Sequence, residues 1–192
     1  MRSIRDAYVF QFGVGGVGCA LLQKVLTTRE RLLRRQGVRL NYLGLADSSG
    51  YLLHEDGLSD ARLAEVLSHK RAGRPLTGLS GAVVGGPESA QEVINRLRDA
   101  DGSCVIVDVT ASQEMEHVLM EAAEFGCGIV LANKRPLVSS MDNYHRLMWG
   151  QRTRYEATVG AGLPVIHTVQ YLLNTGNDIS AISGSLSGTM GY

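Results

Sequence analysis

The sequence is short of cysteine, of any excess charge and of long apolar runs, and each shortage closes a class of explanation. Its three cysteines, Cys19, Cys104 and Cys127, are odd in number and far apart, and no CxxC pair exists to found a structural zinc site. Each lies in apolar or small-residue sequence and reads as a buried free thiol. Lysines plus arginines number 19 and aspartates plus glutamates also 19. The basic excess that phosphate neutralisation along nucleic acid requires is therefore missing, as is the charge that would favour an anionic membrane. No apolar stretch approaches the ~18 to 20 residues that span a bilayer. Arg2 and Arg5 ahead of the apolar stretch from Ala7 to Leu22 mimic a signal peptide, but Gln11 and the regularly spaced glycines inside it argue against one. The expectation is a cytoplasmic chain that partners neither nucleic acid nor membrane.

What is present is an ordinary globular composition, 44% hydrophobic and 20% charged over 192 residues. That is one domain or a little more, long enough to bury about 70% of its extended-chain surface without staples. Strand and helix signals alternate. Tyr8-Val-Phe-Gln-Phe12 runs through Gly13-Val-Gly-Gly-Val-Gly18 into a helical pattern that continues past a charged stretch until Gly37. Residues 40 to 46 read as a second strand ending at Asp47. Between 48 and 88 the spacing predicts a helix over 59–70, capped by Ser59, in an otherwise exposed excursion. A helix follows over 88–97, then the continuous apolar run Ser103-Cys-Val-Ile-Val-Asp108, the signature of a strand covered on both faces. A helix over 113–125, a strand over 128–132, a helix from Met141 to about Gly150, an alternating strand over 153–159, a helix after Pro164 and a last strand over 179–186 complete the pattern. Such alternation means an α/β fold with a Rossmann-like, doubly wound parallel sheet.

A GxGxxG is weak evidence alone, but Gly13, Gly15 and Gly18 follow a strand and open a helix, which is the context the motif needs. The first glycine allows the tight turn and the second lets a pyrophosphate approach the backbone. The third lets helix pack on strand, with the helix N-terminus facing the anion. Asp47 ends the second strand, where a carboxylate accepts ribose hydroxyls and favours NAD; Ser48 and Ser49 beside it accommodate the 2'-phosphate of NADP. In open parallel sheets ligands bind beyond the carboxyl ends of the strands, and Asp108, Thr110, Ser112, Asn133 and Lys134 all stand there. A partly desolvated Lys134 ammonium can polarise or protonate a substrate oxygen during hydride transfer. The five histidines have no spaced partners, and His117, His145 and His167 fall on helices and read as helix-face residues.

Three segments then become specific together: Ala132-Asn-Lys-Arg-Pro-Leu137, Tyr155-Glu-Ala-Thr-Val-Gly-Ala-Gly-Leu-Pro-Val-Ile166 and Gly184-Ser-Leu-Ser-Gly-Thr-Met-Gly-Tyr192. In this order, downstream of the glycine motif, they resemble homoserine dehydrogenase. The resemblance implies NAD(P)-linked interconversion of homoserine and aspartate 4-semialdehyde in threonine, methionine and isoleucine synthesis, within a homo-oligomeric family fold. It implies a dinucleotide-binding unit over 1–158 and the beginning of a second, substrate or dimerisation domain over 159–192. It implies that Gly13, Val14, Gly15, Gly16, Val17 and Gly18, with Thr110, Ala111, Ser112, Asn133 and Lys134, hold the dinucleotide and that Lys134 is also the active-site lysine. It further implies a sodium or potassium site at Glu156 and the main-chain carbonyls of Val159, Ala161 and Leu163, and the entry to the substrate pocket at Gly188 and Thr189. The glutamate, aspartates and second lysine of the family's substrate domain find no counterpart within these residues. This chain alone is therefore expected to be catalytically incomplete, with its last strand left as an exposed edge. A non-catalytic dinucleotide-binding or interaction module derived from the family is the alternative.

Overall fold

The computed structural model describes residues 4–85, 93, 95 and 103–186. Among these, seven strands form one sheet in the order β4-β3-β2-β1-β5-β6-β7. β1 (Arg5–Phe12) lies at its centre, parallel to β2 (Val38–Asp47) on one side and to β5 (Ser103–Asp108) on the other. The crossover from β1 to β2 is α1 (Gly16–Gln36), which ends at Gly37 in the left-handed conformation (φ 67°), its N–H donating to Leu33 O. The chain leaves β1 to one side for β2 and returns to the other for β5. The carboxyl ends of β1 and β5 thus form a topological switch point, where a crevice opens.

Period-2 alternation along β1 sends Val9 to one face of the sheet and Phe10 and Phe12 to the other. On the Val9 side, Leu22 and Val25 of α1 meet Leu63 and Val66 of α2 (Asp60–Arg71); on the other, Leu119 of α3 (Glu116–Glu124) packs over Ile106 and Ile129. Each side chain buried this completely contributes roughly 1.5–3 kcal/mol. Burial on both faces is why β5 reads as an unbroken apolar run, whereas β6 (Gly128–Leu131) buries Ile129 and Leu131 on one face and leaves Val130 exposed on the other. Ser59 caps α2 by accepting from Arg62 N–H at 3.2 Å, and Ser140 caps α5 (Met141–Trp149) by accepting from Asn143 N–H at 3.1 Å. None of the helices among the described residues is long and apolar enough to cross a membrane.

The structure corrects four expectations. The excursion after Asp47 contains β3 (Gly50–Leu53) and β4 (Val83–Val84), both antiparallel to their neighbours, so the sheet is mixed rather than wholly parallel. A two-residue connection can only reverse the chain, and Asp47 tightens it by accepting from Ser49 N–H at 2.8 Å. The alternating stretch 153–159 is a strand only at β7 (Thr153–Arg154), which pairs with Ile129 and Val130. It then turns into a 3-10 helix, Glu156–Thr158, because the Glu156 carboxylate caps α6 (Val165–Asn174) instead of lying along a strand. Residues 179–186 form no strand: among the described residues the backbone bond that reaches them runs from Gly160 N–H to Leu186 O, and no ladder is offered. The expected exposed strand edge is accordingly absent.

The fourth correction concerns the thiols. Cys104 and Cys127 form a disulfide, Cα to Cα 4.9 Å, while Cys19 is free and buried. Parallel pairing places Val105 opposite Gly128, which makes the two preceding cysteines neighbours across 23 residues of sequence. Of the helix expected over 88–97, only Val93 and Asn95 are among the described residues, and both are helical.

Candidate functional site

The glycine turn closes β1 and starts α1 under severe local restraint. Gly13 has φ 97°, and a Cβ there would fall 2.9 Å from the carbonyl carbon of Val109 at the end of β5. At Gly18 a Cβ would fall 2.2 Å from Gly13 O. Both positions exclude a side chain through the protein's own backbone. Gly15 and Gly16 differ, since a Cβ at either would meet nothing within 4 Å. Next to them the N-terminus of α1 has neither a side-chain cap nor an acidic residue in its first turn. Open space over bare glycine and an uncapped 21-residue helix make a cradle suited to an anion such as a dinucleotide pyrophosphate.

Below the turn lies Gln11, 0% exposed, the last residue but one of β1. Its amide nitrogen donates to Gly13 O at 2.9 Å and to Gly18 O at 3.3 Å, and its oxygen accepts from the Tyr42 hydroxyl at 3.2 Å. Burial pushes the Tyr42 phenol far above its usual range, so it remains a donor. The sequence contains the signal, a lone amide within an apolar run, but nothing in it distinguishes a loop anchor from an ordinary polar residue.

The turn forms one wall of an open cleft of about 1210 Å³. Gly13, Val14, Gly15, Gly16 and Val17 line it, facing Thr110, Ala111 and Ser112, with Asp47 at one end. Lys70 and Arg71, from the last turn of α2, line it beside Asp47 and carry no sequence signal that would place them there. Asp47 Oδ1 accepts from Ser49 N–H at 2.8 Å and Ser49 Oγ at 2.6 Å, and Oδ2 accepts from Leu76 N–H at 3.1 Å and from the Lys70 ammonium. Burial pushes the Asp47 carboxyl up, but the bonds from Lys70, Ser49 and Leu76 outweigh it and hold the carboxyl below its ordinary value.

At the end of β5 the fully buried Asp108 accepts from Thr110 N–H at 2.9 Å and Thr110 Oγ1 at 2.7 Å on one oxygen, and from Asn133 Nδ2 at 2.9 Å on the other. Burial raises its pKa, against the pull of those three bonds. Asn133 also donates to Ser112 O at 2.7 Å and accepts from Arg135 N–H at 3.1 Å. It stands behind the cleft wall and ties the end of β6 to the segment from Thr110 to Ser112. Lys134 follows at the start of α4 (Arg135–Val138), exposed, with no ion pair among the described residues. It is not part of the cleft wall, and neither is Gly18.

The remaining sequence-derived residues lie on a different segment. Glu156 accepts from Ile166 N–H at 3.1 Å and His167 N–H at 2.8 Å, capping α6. The bend after it is closed by bonds from Leu163 N–H to Gly160 O and from Val165 N–H to Leu163 O, both 2.9 Å, with Ala161 at φ 52°. The carbonyls of Val159 and Ala161 take no part in those two bonds. Gly188 and Thr189 lie outside the described residues.

Residues 13–157 match the family model described as homoserine dehydrogenase, NAD binding domain. The chain is 32% identical over 186 residues to the bifunctional aspartokinase/homoserine dehydrogenase 2 of Escherichia coli (strain K12), covering 94% of this chain and 21% of that protein. To the chloroplastic bifunctional aspartokinase/homoserine dehydrogenase of Daucus carota it is 33% identical over 185 residues, covering 94% of this chain and 19% of that protein. Among solved structures, a hyperthermophilic archaeal homoserine dehydrogenase in complex with NADPH superimposes with a TM-score of 0.68 at 25% identity, over 85% of this chain and 48% of that one. The chain thus spans about a fifth of the length of these curated relatives and about half of the solved chain.

Proposed function

The chain belongs to the homoserine dehydrogenase NAD-binding domain family, and from that premise we propose that it is the coenzyme half of an NAD(P)-linked enzyme interconverting L-homoserine and L-aspartate 4-semialdehyde. The carrying observation is the vacant space over Gly15 and Gly16 at the uncapped start of α1. In this reading the N–H groups there hold the pyrophosphate, and the segment from Thr110 to Ser112 holds the far end of the dinucleotide. A bound nicotinamide dinucleotide supplies or accepts the hydride. Asp108 and Asn133 fix the strand ends so that Lys134 presents its ammonium to the substrate oxygen, stabilising negative charge there and carrying a proton to it. The coenzyme unit covers 1–158; the segment over 159–192 opens the substrate domain, with Gly188 and Thr189 at the entry to its pocket.

A sodium or potassium ion fits the bend after Glu156 by donor chemistry, since the carbonyls of Val159, Ala161 and Leu163 and the Glu156 carboxylate are all hard oxygen ligands. Both Glu156 oxygens already accept a backbone N–H, so an ion would use their remaining lone pairs.

Titration calorimetry with NAD and with NADP tests the reading. Wild-type chain binds at least one of them, and Gly15→Val weakens binding by about tenfold or more by filling the cradle. Lys134→Ala leaves binding nearly intact while abolishing homoserine oxidation by the full-length enzyme. Undetectable binding of both coenzymes, or equal binding by Gly15→Val, would overturn the assignment.

A further inference from the structure

Resting on the reading of the cleft as a dinucleotide site, we propose that Asn133 is a positioning residue that transmits the presence of coenzyme in the cleft to the turn bearing Lys134. The cleft wall and that turn are held by opposite ends of one buried carboxamide. Its nitrogen donates to Ser112 O at 2.7 Å and to Asp108 Oδ2 at 2.9 Å, with Thr110 Oγ1 at 3.3 Å. Its oxygen accepts from Arg135 N–H at 3.1 Å, one residue past Lys134. The resonance that flattens a peptide bond keeps a side-chain amide flat too, so the nitrogen cannot follow Ser112 without moving the oxygen relative to Arg135.

Asn133 is 3% exposed and Asp108 0%, so a bond broken here leaves a buried group that water does not satisfy. On the wall side, residues 110–112 belong to no strand or helix, and among the described residues the hydrogen bond that reaches Ser112 O comes from Asn133. On the lysine side, α4 is a single turn whose start rests on the Arg135 bond to Asn133 and on Leu137 N–H donating to Lys134 O at 3.1 Å. A helix this short has little stability of its own. The carboxamide thus joins two segments that can each shift, and Asp108 is the fixed post between them. Its main-chain oxygen accepts from Ala132 N–H at 2.9 Å and Asn133 N–H at 3.3 Å, which ties the end of β6 to β5. A dinucleotide seated against Thr110, Ala111 and Ser112 stops the wall from shifting, holds the carboxamide in place and so keeps the Arg135 bond made. Lys134 is then presented from a formed turn when coenzyme is bound and from a looser one when the cleft is empty.

The test is residue-resolved amide exchange by NMR on the 15N-labelled 192-residue chain, with and without saturating NAD or NADP, whichever calorimetry shows to bind. Wild type, Asn133→Ala and Asn133→Asp are compared, each checked for a native thermal melt. Arg135 and Leu137 are not on the cleft wall, so their response reports the connection rather than contact with the ligand. In wild type, binding is expected to slow both amides by about fivefold or more, the lower end of measured couplings between sites. In Asn133→Ala the amides of β5 still gain protection on binding, but Arg135 and Leu137 exchange at one rate with and without coenzyme. Asn133→Asp returns the acceptor for Arg135 N–H but not the donor to Ser112 O, so the response stays lost, whereas a purely structural capping role would be restored by it. In the full-length enzyme Asn133→Ala lowers kcat for homoserine oxidation by about tenfold or more, the scale of a misplaced reacting group, with coenzyme affinity changed by less. Should the variants fail to fold, the wild-type spectrum still decides, because the Asn133 side-chain NH2 protons must slow together with the Arg135 amide. Coenzyme that binds without slowing Arg135, Leu137 and the Asn133 NH2, or a response that survives in either variant, overturns the coupling while leaving the dinucleotide site standing. Absence of binding by either coenzyme overturns the site itself, and the coupling with it.

Discussion

Gln11 is the residue through which the glycine turn is tied to the core, and its replacement separates two kinds of side-chain contribution. Gln11→Leu keeps the volume but removes the donor to Gly13 O and Gly18 O and strands the buried Tyr42 hydroxyl. An unsatisfied buried group costs about 1–3 kcal/mol, so chemical denaturation should show a loss on that scale. The affinity for coenzyme should fall as well, because the turn loses its anchor. Gln11→Glu should be worse near neutral pH, because a carboxylate then faces two carbonyl oxygens with no donor of its own. The acid limb of stability belongs to Asp47. Its folded carboxyl lies below the ordinary value of 3.8, burial notwithstanding, through its bonds to Lys70, Ser49 and Leu76. A carboxyl depressed in this way contributes stability above its unfolded pKa and loses it as pH falls through the folded pKa. Asp108 works in the opposite sense: its pKa is raised by burial, so its ionisation lowers stability as pH rises past the ordinary carboxylate range. The difference in unfolding free energy between wild type and Asp47→Asn should therefore grow as pH rises from below the depressed folded pKa to above the ordinary carboxylate value, and then level off. A difference that shrinks with rising pH would show that the Asp47 bonds do not favour its charged form.

At the scale of elements, what could be read in advance had a local cause. Gly37 stops α1 because a left-handed residue ends a helix, and Ser59 and Ser140 start α2 and α5 because their hydroxyls accept orphan N–H groups. β1 and β5 are legible because burial on both faces makes their apolar runs continuous. The elements that escape are decided by distant partners. Alternation over 153–159 cannot foresee that Glu156 will cap a helix starting nine residues later. Lys70 reaches Asp47 across 23 residues, and its role depends on where α2 docks. The Thr110 to Ser112 wall and the glycine turn could be placed because strand ends and a helix start fix them, whereas Gln11 and Lys70 emerge only from packing. The disulfide is the same kind of case, legible only once β5 and β6 are known to be adjacent and parallel. It closes a loop spanning 23 residues, which the chain-entropy account values at about 3 kcal/mol. It joins the starting ends of the two strands, whereas the cleft lies at their carboxyl ends. The paired substitution Cys104→Ser with Cys127→Ser should thus lower the melting temperature by roughly 6–12 °C while leaving coenzyme affinity unchanged. A loss of coenzyme binding at full fold would mean that strain is transmitted along β5.

Across the whole molecule the two apolar layers are not independent, since β1 and β5 contribute side chains to both. Unfolding one layer strips the other of half its support, so thermal unfolding of the sheet and its covering helices should be a single transition. α6 stands outside that unit. None of its residues is buried, and Tyr171 and Leu173 are mostly open to solvent. Among the described elements it packs chiefly against the adjoining 3-10 turn, and its amides are accordingly expected to open at lower free energy than those of β1, β5 or α1. Coenzyme binding should sharpen the contrast. A ligand at a hundred times its Kd adds about 2.7 kcal/mol to the folded state it binds, which for a chain of this size is roughly 5–11 °C in melting temperature. Hydrogen exchange followed by mass spectrometry should show that gain in β1, β5 and the first turns of α1, with α6 exchanging as fast as before. Protection that spreads into α6 would mean that the helix after the Glu156 bend is coupled to the cleft. Two separate melting transitions would mean that the faces of the sheet fold apart.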